Sequence, residues 1–301
     1  MRPRQQGAAA HGEKMKILLY SSLVICLSQA LLTAGEMRQW TNTAGRSINA
    51  ELLSLEGEDA TLQLDNGRKY TVALSGLSAA DREFAMKWAE EQAALASAPK
   101  PKTEPIMATP GKVLYQSTLA SSGGWSSPHG AWTTSESGLT GAERASDNHG
   151  AVYKMPLNFK DVIIEFDIMP GESKSASFGI DDSSDHVCRV SIYTSGFQAR
   201  KDDHDHEGPD VAKPFNRVEE ELEADEWHTV RIEILDKEML AQIGKEISLG
   251  MDPLLAGQKT KCGFVVSGGK AGFRNLTIWE ALPNSDWEKT GPRLRRKLDV
   301  E

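Results

Sequence analysis

Residues 201–210 read K-D-D-H-D-H-E-G-P-D, two histidines and five carboxylates in ten positions. Two chemistries suit such a run. His204 and His206, two apart in an extended segment, would present both imidazoles on one side. Zinc would then need a further ligand from elsewhere, with His186 and His228 as candidates. Asp202, Asp203, Asp205 and Asp210 suit calcium instead, which takes several oxygens from a flexible loop. The plain alternative is a hydrated acidic loop. Five like charges this close repel one another, a cost that a cation or an external partner relieves. Asp181, Asp182 and Asp185 are candidates for the same rim.

The surrounding charge narrows the partner. The chain carries a formal net charge of −9, and residues 201–226 hold eleven Asp/Glu against three Lys/Arg. Such a surface repels DNA and RNA, and the short basic run at 293–297 does not reverse that, so nucleic acid is excluded as a partner.

The N-terminus predicts export. Lys14 and Lys16 precede an uncharged, mostly apolar stretch at 17–32 and small residues at 33–35. That is the layout of a secretory signal peptide, assigned here to 1–34, with Met15 a second candidate start. Cleavage leaves no transmembrane helix, and it places the protein in the periplasm, at the envelope or outside the cell. It also removes Cys26, leaving Cys188 and Cys262 in strand-like runs. These either form a disulfide or remain two buried thiols.

The rest of the chain divides into four stretches. Residues 36–96 alternate as short strands, turn at Asn66-Gly67 with a predicted type I′ geometry, and end in a helix capped by Ser78 and Asp81. Phe84, Ala85 and Trp88 share a face of that helix. Residues 97–110 hold four prolines and read as a semi-rigid linker. Residues 111–282 contain many short strand-like runs separated by polar turns and no convincing helix, which predicts an antiparallel sandwich or jelly roll. Residues 217–224 read as a solvated loop or a single helical turn. Residues 283–301 are a basic tail that frays or lies against the acidic surface.

Two resemblances sharpen this. Trp40-Thr41, Gly45-Arg46, Ala50-Glu51, Asn66-Gly67-Arg68, Leu77-Ser78, Asp81 and Trp88 resemble the SLA homology domain one, which implies an SH3-like small barrel with one helix and a role in protein or wall contact. Phe159-Lys160-Asp161 with the strand that follows, Trp227-His228-Thr229-Val230, and 272–276 (G-F-R-N-L) resemble the concanavalin A-like, laminin-G-type sandwiches of exported bacterial proteins, including the 3-keto-disaccharide hydrolase domains. The resemblance implies an all-β protein: the small barrel followed by an antiparallel jelly-roll sandwich. Ile243-Gly244-Lys245 stands where some relatives carry N-G-K or D-G-K, so no ligand role is carried over to that turn.

Catalysis has weaker support. Laminarinase-type sandwiches use E-x-D-x-x-E along one strand. Here Glu165 and Asp167 are present, Pro170 replaces the second glutamate, and the pair is expected to line a solvated face. No catalytic residue is assigned, and no G-x-S-x-G elbow exists. Trp125, Trp132 and Tyr193 are candidate platforms for stacking on sugar rings, against a bland role in the core. The reading is an exported binding protein for a glycan or envelope protein, with Ca2+ or Zn2+ at the acidic run. The alternatives are a glycan-processing hydrolase and a structural envelope protein.

Overall fold

The computed structural model describes residues 37–208 and 210–300, so the expected signal at 1–34 lies outside the described residues. No described helix is long and apolar enough to cross a membrane. The chain forms two compact units, divided between Met86 and Lys87.

The first unit contains β1 (Arg38–Thr41), β2 (Ser47–Glu56), β3 (Asp59–Leu64) and β4 (Lys69–Ala73), an antiparallel sheet in chain order. Alternation along β2 and β3 buries Ala50, Leu52, Ala60 and Leu62. The 65–67 turn departs from the type I′ expectation. Among its residues only Gly67 takes a positive φ (+78°), and its N–H returns to the Leu64 carbonyl at 2.9 Å. The loop is a three-residue one with glycine in the left-handed region. Helix α1 (Ala79–Ser97) begins as expected: the Asp81 N–H donates to Ser78 Oγ at 3.2 Å, and Ser78 Oγ donates to Asp81 Oδ2 at 2.8 Å. Asp81 also accepts from the Thr41 N–H and from Arg38, tying the cap to β1.

The second unit is the all-β sandwich that the strand pattern predicts. Its strands are β5 (Ala108–Ser117), β6 (Ser126–His129), β7 (Ala131–Ser135), β8 (Gly138–Ala142), β9 (Ala151–Phe159), β10 (Val162–Met169), β11 (Ser173–Asp181) and β12 (His186–Tyr193). They continue as β13 (Gly196–Lys201), β14 (Lys213–Val218), β15 (His228–Leu235), β16 (Glu238–Ile243), β17 (Glu246–Met251), β18 (Lys259–Gly268) and β19 (Ala271–Pro283). One sheet runs β17-β16-β15-β10-β19-β8-β7, with β5 also paired to β19; the other runs β14-β13-β12-β11-β18-β9-β6. Inward residues of both sheets, among them Phe166, Phe178, Phe264 and Phe273, close one core. Residues 217–224 are not helical: Arg217 and Val218 end β14, and Leu222 is buried.

The proline-rich stretch does not run free. The Pro99 carbonyl accepts from Trp279 Nε1 at 2.7 Å. The Lys102 N–H donates to both oxygens of Glu165 at 3.0 Å, and its ammonium pairs with Asp167. Glu233 accepts the N–H groups of Ile106, Met107 and Ala108 at 2.8, 2.7 and 3.0 Å. Residues 99–107 thus form a strap across the outer face of β10 and β15. Glu165 and Asp167 are 4% and 3% exposed, so they line no solvated face. Burial pushes the Glu165 carboxyl up, against the Lys102 amide and ammonium. Burial pushes Asp167 the same way, but hydrogen bonds from Lys102, Asn275 and Thr229 outweigh it and hold that carboxyl low.

The tail is ordered as well. Helix α2 (Trp287–Lys297) buries Trp287 with Met107, Leu240 and Leu249, and Glu238 holds it by accepting from Trp287 Nε1 at 2.8 Å and pairing with Arg295.

The disulfide is ruled out by register. Cys188 and Cys262 both pair with Ile180, one from each side of β11. A strand between them sets the two about 10 Å apart, beyond bridging reach. Both are buried free thiols, and burial pushes both up.

Candidate functional site: a polar sheet face and its acidic rim

Pleating decides which residues the seven-stranded sheet shows to the outside. Phe178, Ile180, Cys188, Val190, Ile192 and Ala199 point into the core, so their neighbours in sequence point out. Register then lines up Lys154, Gly263, Gly179, Arg189 and Arg200 as one transverse row, and Ser177, Ser191, Gln198 and Arg217 as the next. The two glycines of the first row are buried, and the Lys154 side chain lies over them: a Cβ at Gly263 would meet its Cγ at 3.0 Å and run into the Tyr153 carbonyl. A Cβ at Gly179 would meet only the end of the Lys154 side chain, at 3.9 Å.

Asp202 organises the row. Its carboxylate, 5% exposed, accepts from Arg189 Nε at 2.7 and 2.9 Å and from Arg200 Nε at 2.8 Å. Asp202 is therefore a clamp on two guanidinium groups rather than part of an ion cage. Both Nη nitrogens of each arginine have no protein partner among the described residues, leaving oriented donors on the face. Ser177 Oγ donates to Ser191 Oγ at 3.2 Å in the next row. Tyr193 lies at the same face with the Arg217 guanidinium 4.8 Å from its ring centroid.

The acidic rim closes one end of this face. Lys154 pairs with Asp181, and His186 Nδ1 lies 2.8 Å from the same carboxylate. Burial pushes Asp181 up, but hydrogen bonds from His186 and Lys154 outweigh it and hold the carboxyl low. His204 Nε2 lies 2.8 Å from Asp182, and His206 Nε2 lies 3.0 Å from Asp185. Asp181, Asp182 and Asp185 do reach the rim, as partners of the histidines. The expected pairing of His204 with His206 on one ion is not seen: each imidazole turns to a different acid, because the segment leaves extended geometry at His206, where φ is +58°.

Three of the expected ligands do converge. Carboxylate oxygens of Asp203, Asp205 and Asp210 lie within 4.8 Å of one another. Asp210 also binds the Lys201 ammonium, and that hydrogen bond, with one from the His204 N–H, holds its carboxyl low. An all-oxygen set on a loop fits calcium; the imidazoles that zinc would want are engaged elsewhere. His228 is remote in role, with Nε2 at 2.9 Å from the Glu223 carbonyl.

The aromatic candidates divide. Trp125 stacks on Tyr153 at 4.8 Å and gives its Nε1 hydrogen to Tyr115 Oη. Trp132 leans on Tyr153 at 5.0 Å and gives its own to the His129 carbonyl. Both pack against the core and offer no platform on the face. Tyr193 alone keeps that place. The residues missed from the sequence are Arg189, Arg200, Ser177, Ser191 and Lys154. The alternation in V-C-R-V-S-I-Y carries the signal for Arg189 and Ser191.

No protein-family model matches this chain, and no curated protein sequence matches it. Solved structures similar to it include the carbohydrate-binding module CBM66 from Bacillus subtilis, at 13% identity and TM-score 0.42, covering 52% of this chain and 96% of that one. A Bacillus subtilis protein with a galectin-like fold has 16% identity and TM-score 0.47, covering 59% and 100%. The globular domain of T. cruzi calreticulin has 13% identity and TM-score 0.42, covering 62% and 93%.

Proposed function

We propose that the protein is an exported binding protein that holds a glycan on the outer face of its seven-stranded sheet. The observation that carries this is the Arg189–Asp202–Arg200 clamp. One buried carboxylate fixes two guanidinium groups by their Nε ends, and their Nη donors stand free in a row that Lys154 continues, beside two serines. Preordered donors on a polar sheet face suit a ligand rich in acceptor oxygens, because little side-chain freedom is lost on binding. Calcium at Asp203, Asp205 and Asp210 would neutralise the rim and fix the loop at the end of the face. The four-stranded unit, through its SLA homology domain one resemblance, would make protein contact at the envelope.

A second reading is supported by one observation. His204–Asp182 and His186–Asp181 are imidazole–carboxylate pairs at the edge of the same face, an arrangement able to accept a proton from a bound sugar. That reading makes the protein a glycan-processing enzyme of the 3-keto-disaccharide hydrolase type. A glycan array on wild type and on Arg189→Ala/Arg200→Ala tests the binding reading, which expects array signals lost in the variant. An unbiased glycosidase screen tests the other: turnover abolished by His204→Ala would replace binding protein with enzyme.

A further inference from the structure

The outer face of the eight-stranded sheet is covered only in part. Its β10–β15 half lies beneath the strap, while the part built from β7, β8 and the start of β19 is open. A cleft of about 530 Å³ is set into that open part, within the size range of small-ligand sites. Thr133 and Thr140 face each other across the β7–β8 ladder, with Ala131 and Ala142 paired beside them. Gly272 continues the row from Thr140, and a Cβ there would come within 3.1 Å of the Trp227 ring and 3.4 Å of Met169. The floor is therefore small, with two hydroxyls, and the Met169 thioether borders it, with the Trp227 ring packed against Gly272 behind. The Arg274 guanidinium lies 4.1 Å from the Trp227 centroid and holds that ring.

Three turns build the rest of the cleft. The Gly171 N–H donates to the Ala224 carbonyl at 2.8 Å, and the Glu172 N–H donates to the Lys270 carbonyl at 3.0 Å. This backbone stitching brings the side chains of Glu172, Asp225 and Lys270 to one cleft. All three are exposed, and among the described residues none has an ion-pair partner. Two carboxylates against one ammonium leave a net negative charge to be met.

We infer that this cleft is a second saccharide site, selective for a sugar with a free amino group. Thr133 and Thr140 meet ring hydroxyls, and Glu172 and Asp225 receive the ligand ammonium. It rests on the glycan-binding reading for the class of ligand only. Its floor lies on the opposite sheet from Arg189 and Arg200.

The test is calorimetric titration of the full chain with a β-1,4-linked glucosamine tetramer and with its N-acetylated counterpart. The free-amine tetramer is expected to bind about tenfold tighter, as a charge-assisted contact would give. Glu172→Gln/Asp225→Asn, both at exposed positions, removes the preference. Thr140→Tyr fills the floor and removes binding, whereas Arg189→Ala/Arg200→Ala leaves the preference intact. Equal affinity for the two tetramers, no measurable binding, or full binding by a folded Thr140→Tyr variant overturns the inference. Array signals that vanish while the tetramer preference persists would count against neither site. An array on which no signal depends on Arg189 and Arg200 sinks the first site alone.

Discussion

Asp202 shows how far a residue can stand from what its neighbours in sequence suggest. Within D-D-H-D-H it reads as one more ligand. In the sheet it lies next to Arg189, thirteen positions back, and Arg200, two back, because β12 and β13 pair there. Asp202→Ala leaves two guanidinium groups with unmet Nε donors and is expected to cost about 1–3 kcal/mol, read as a fall in melting temperature, along with loss of glycan binding. An unchanged melting temperature would show the clamp to be idle. Cys188 and Cys262 make the opposite point: their burial was legible from apolar strand context, but their distance was not, since it depends on both pairing with the same residue. Neither thiol should react with a thiol reagent in the folded protein, and both should react in denaturant. A Cys188–Cys262 cross-linked peptide in a non-reduced digest would contradict the register.

The strap is the element whose role composition hides. Three prolines mark it as extended chain, but nothing in that stretch reveals that its amides are matched to carboxylates on β10 and β15, more than sixty positions away. Glu233→Ala removes the acceptor of three amides and leaves Arg231, 1% exposed, without its carboxylate partner. The expected cost is about 3–5 kcal/mol, with faster tryptic cleavage after Lys102. Wild-type cleavage kinetics in the variant would mean that the strap is held by other contacts. The two strap acids should also respond to pH with opposite sign. Asp167 is held low in the folded state, so its stabilisation is present above about pH 4 and fades as pH falls through its folded value. Glu165 is raised, so its buried charge costs stability at neutral pH, and that cost is relieved as pH falls through its folded value toward the unfolded one. The melting-temperature gap between wild type and Asp167→Asn should therefore be widest near neutral pH and narrow below about pH 4; a gap that widens on acidification would contradict this.

For the whole molecule, the sandwich was legible because its strands alternate core and solvent faces, as in Val187–Tyr193, where Val, Arg, Ser and Tyr positions declare their sides. Strands β6, β7 and β8 were not, since short runs rich in Ser, Thr and Gly carry little periodicity, and their lids Trp125 and Trp132 looked like ligand platforms for that reason. The acidic rim was legible as a place and only partly as an arrangement. Three of its four expected carboxylates meet, Asp202 turns to Arg189 and Arg200, and the histidines are drawn away to acids on the turn before β12. Added calcium should raise the melting temperature with the logarithm of its excess over the dissociation constant, and Asp203→Asn/Asp205→Asn should abolish that rise. A rise of equal size in the variant would place the ion elsewhere.

The central claim is that the face clamped by Asp202 holds a glycan. Its most direct test is to titrate the strongest array hit into wild type and into Arg189→Ala/Arg200→Ala, with thermal melting of both. The account predicts that binding disappears while the variant stays folded; a folded variant that binds as tightly as wild type would contradict it.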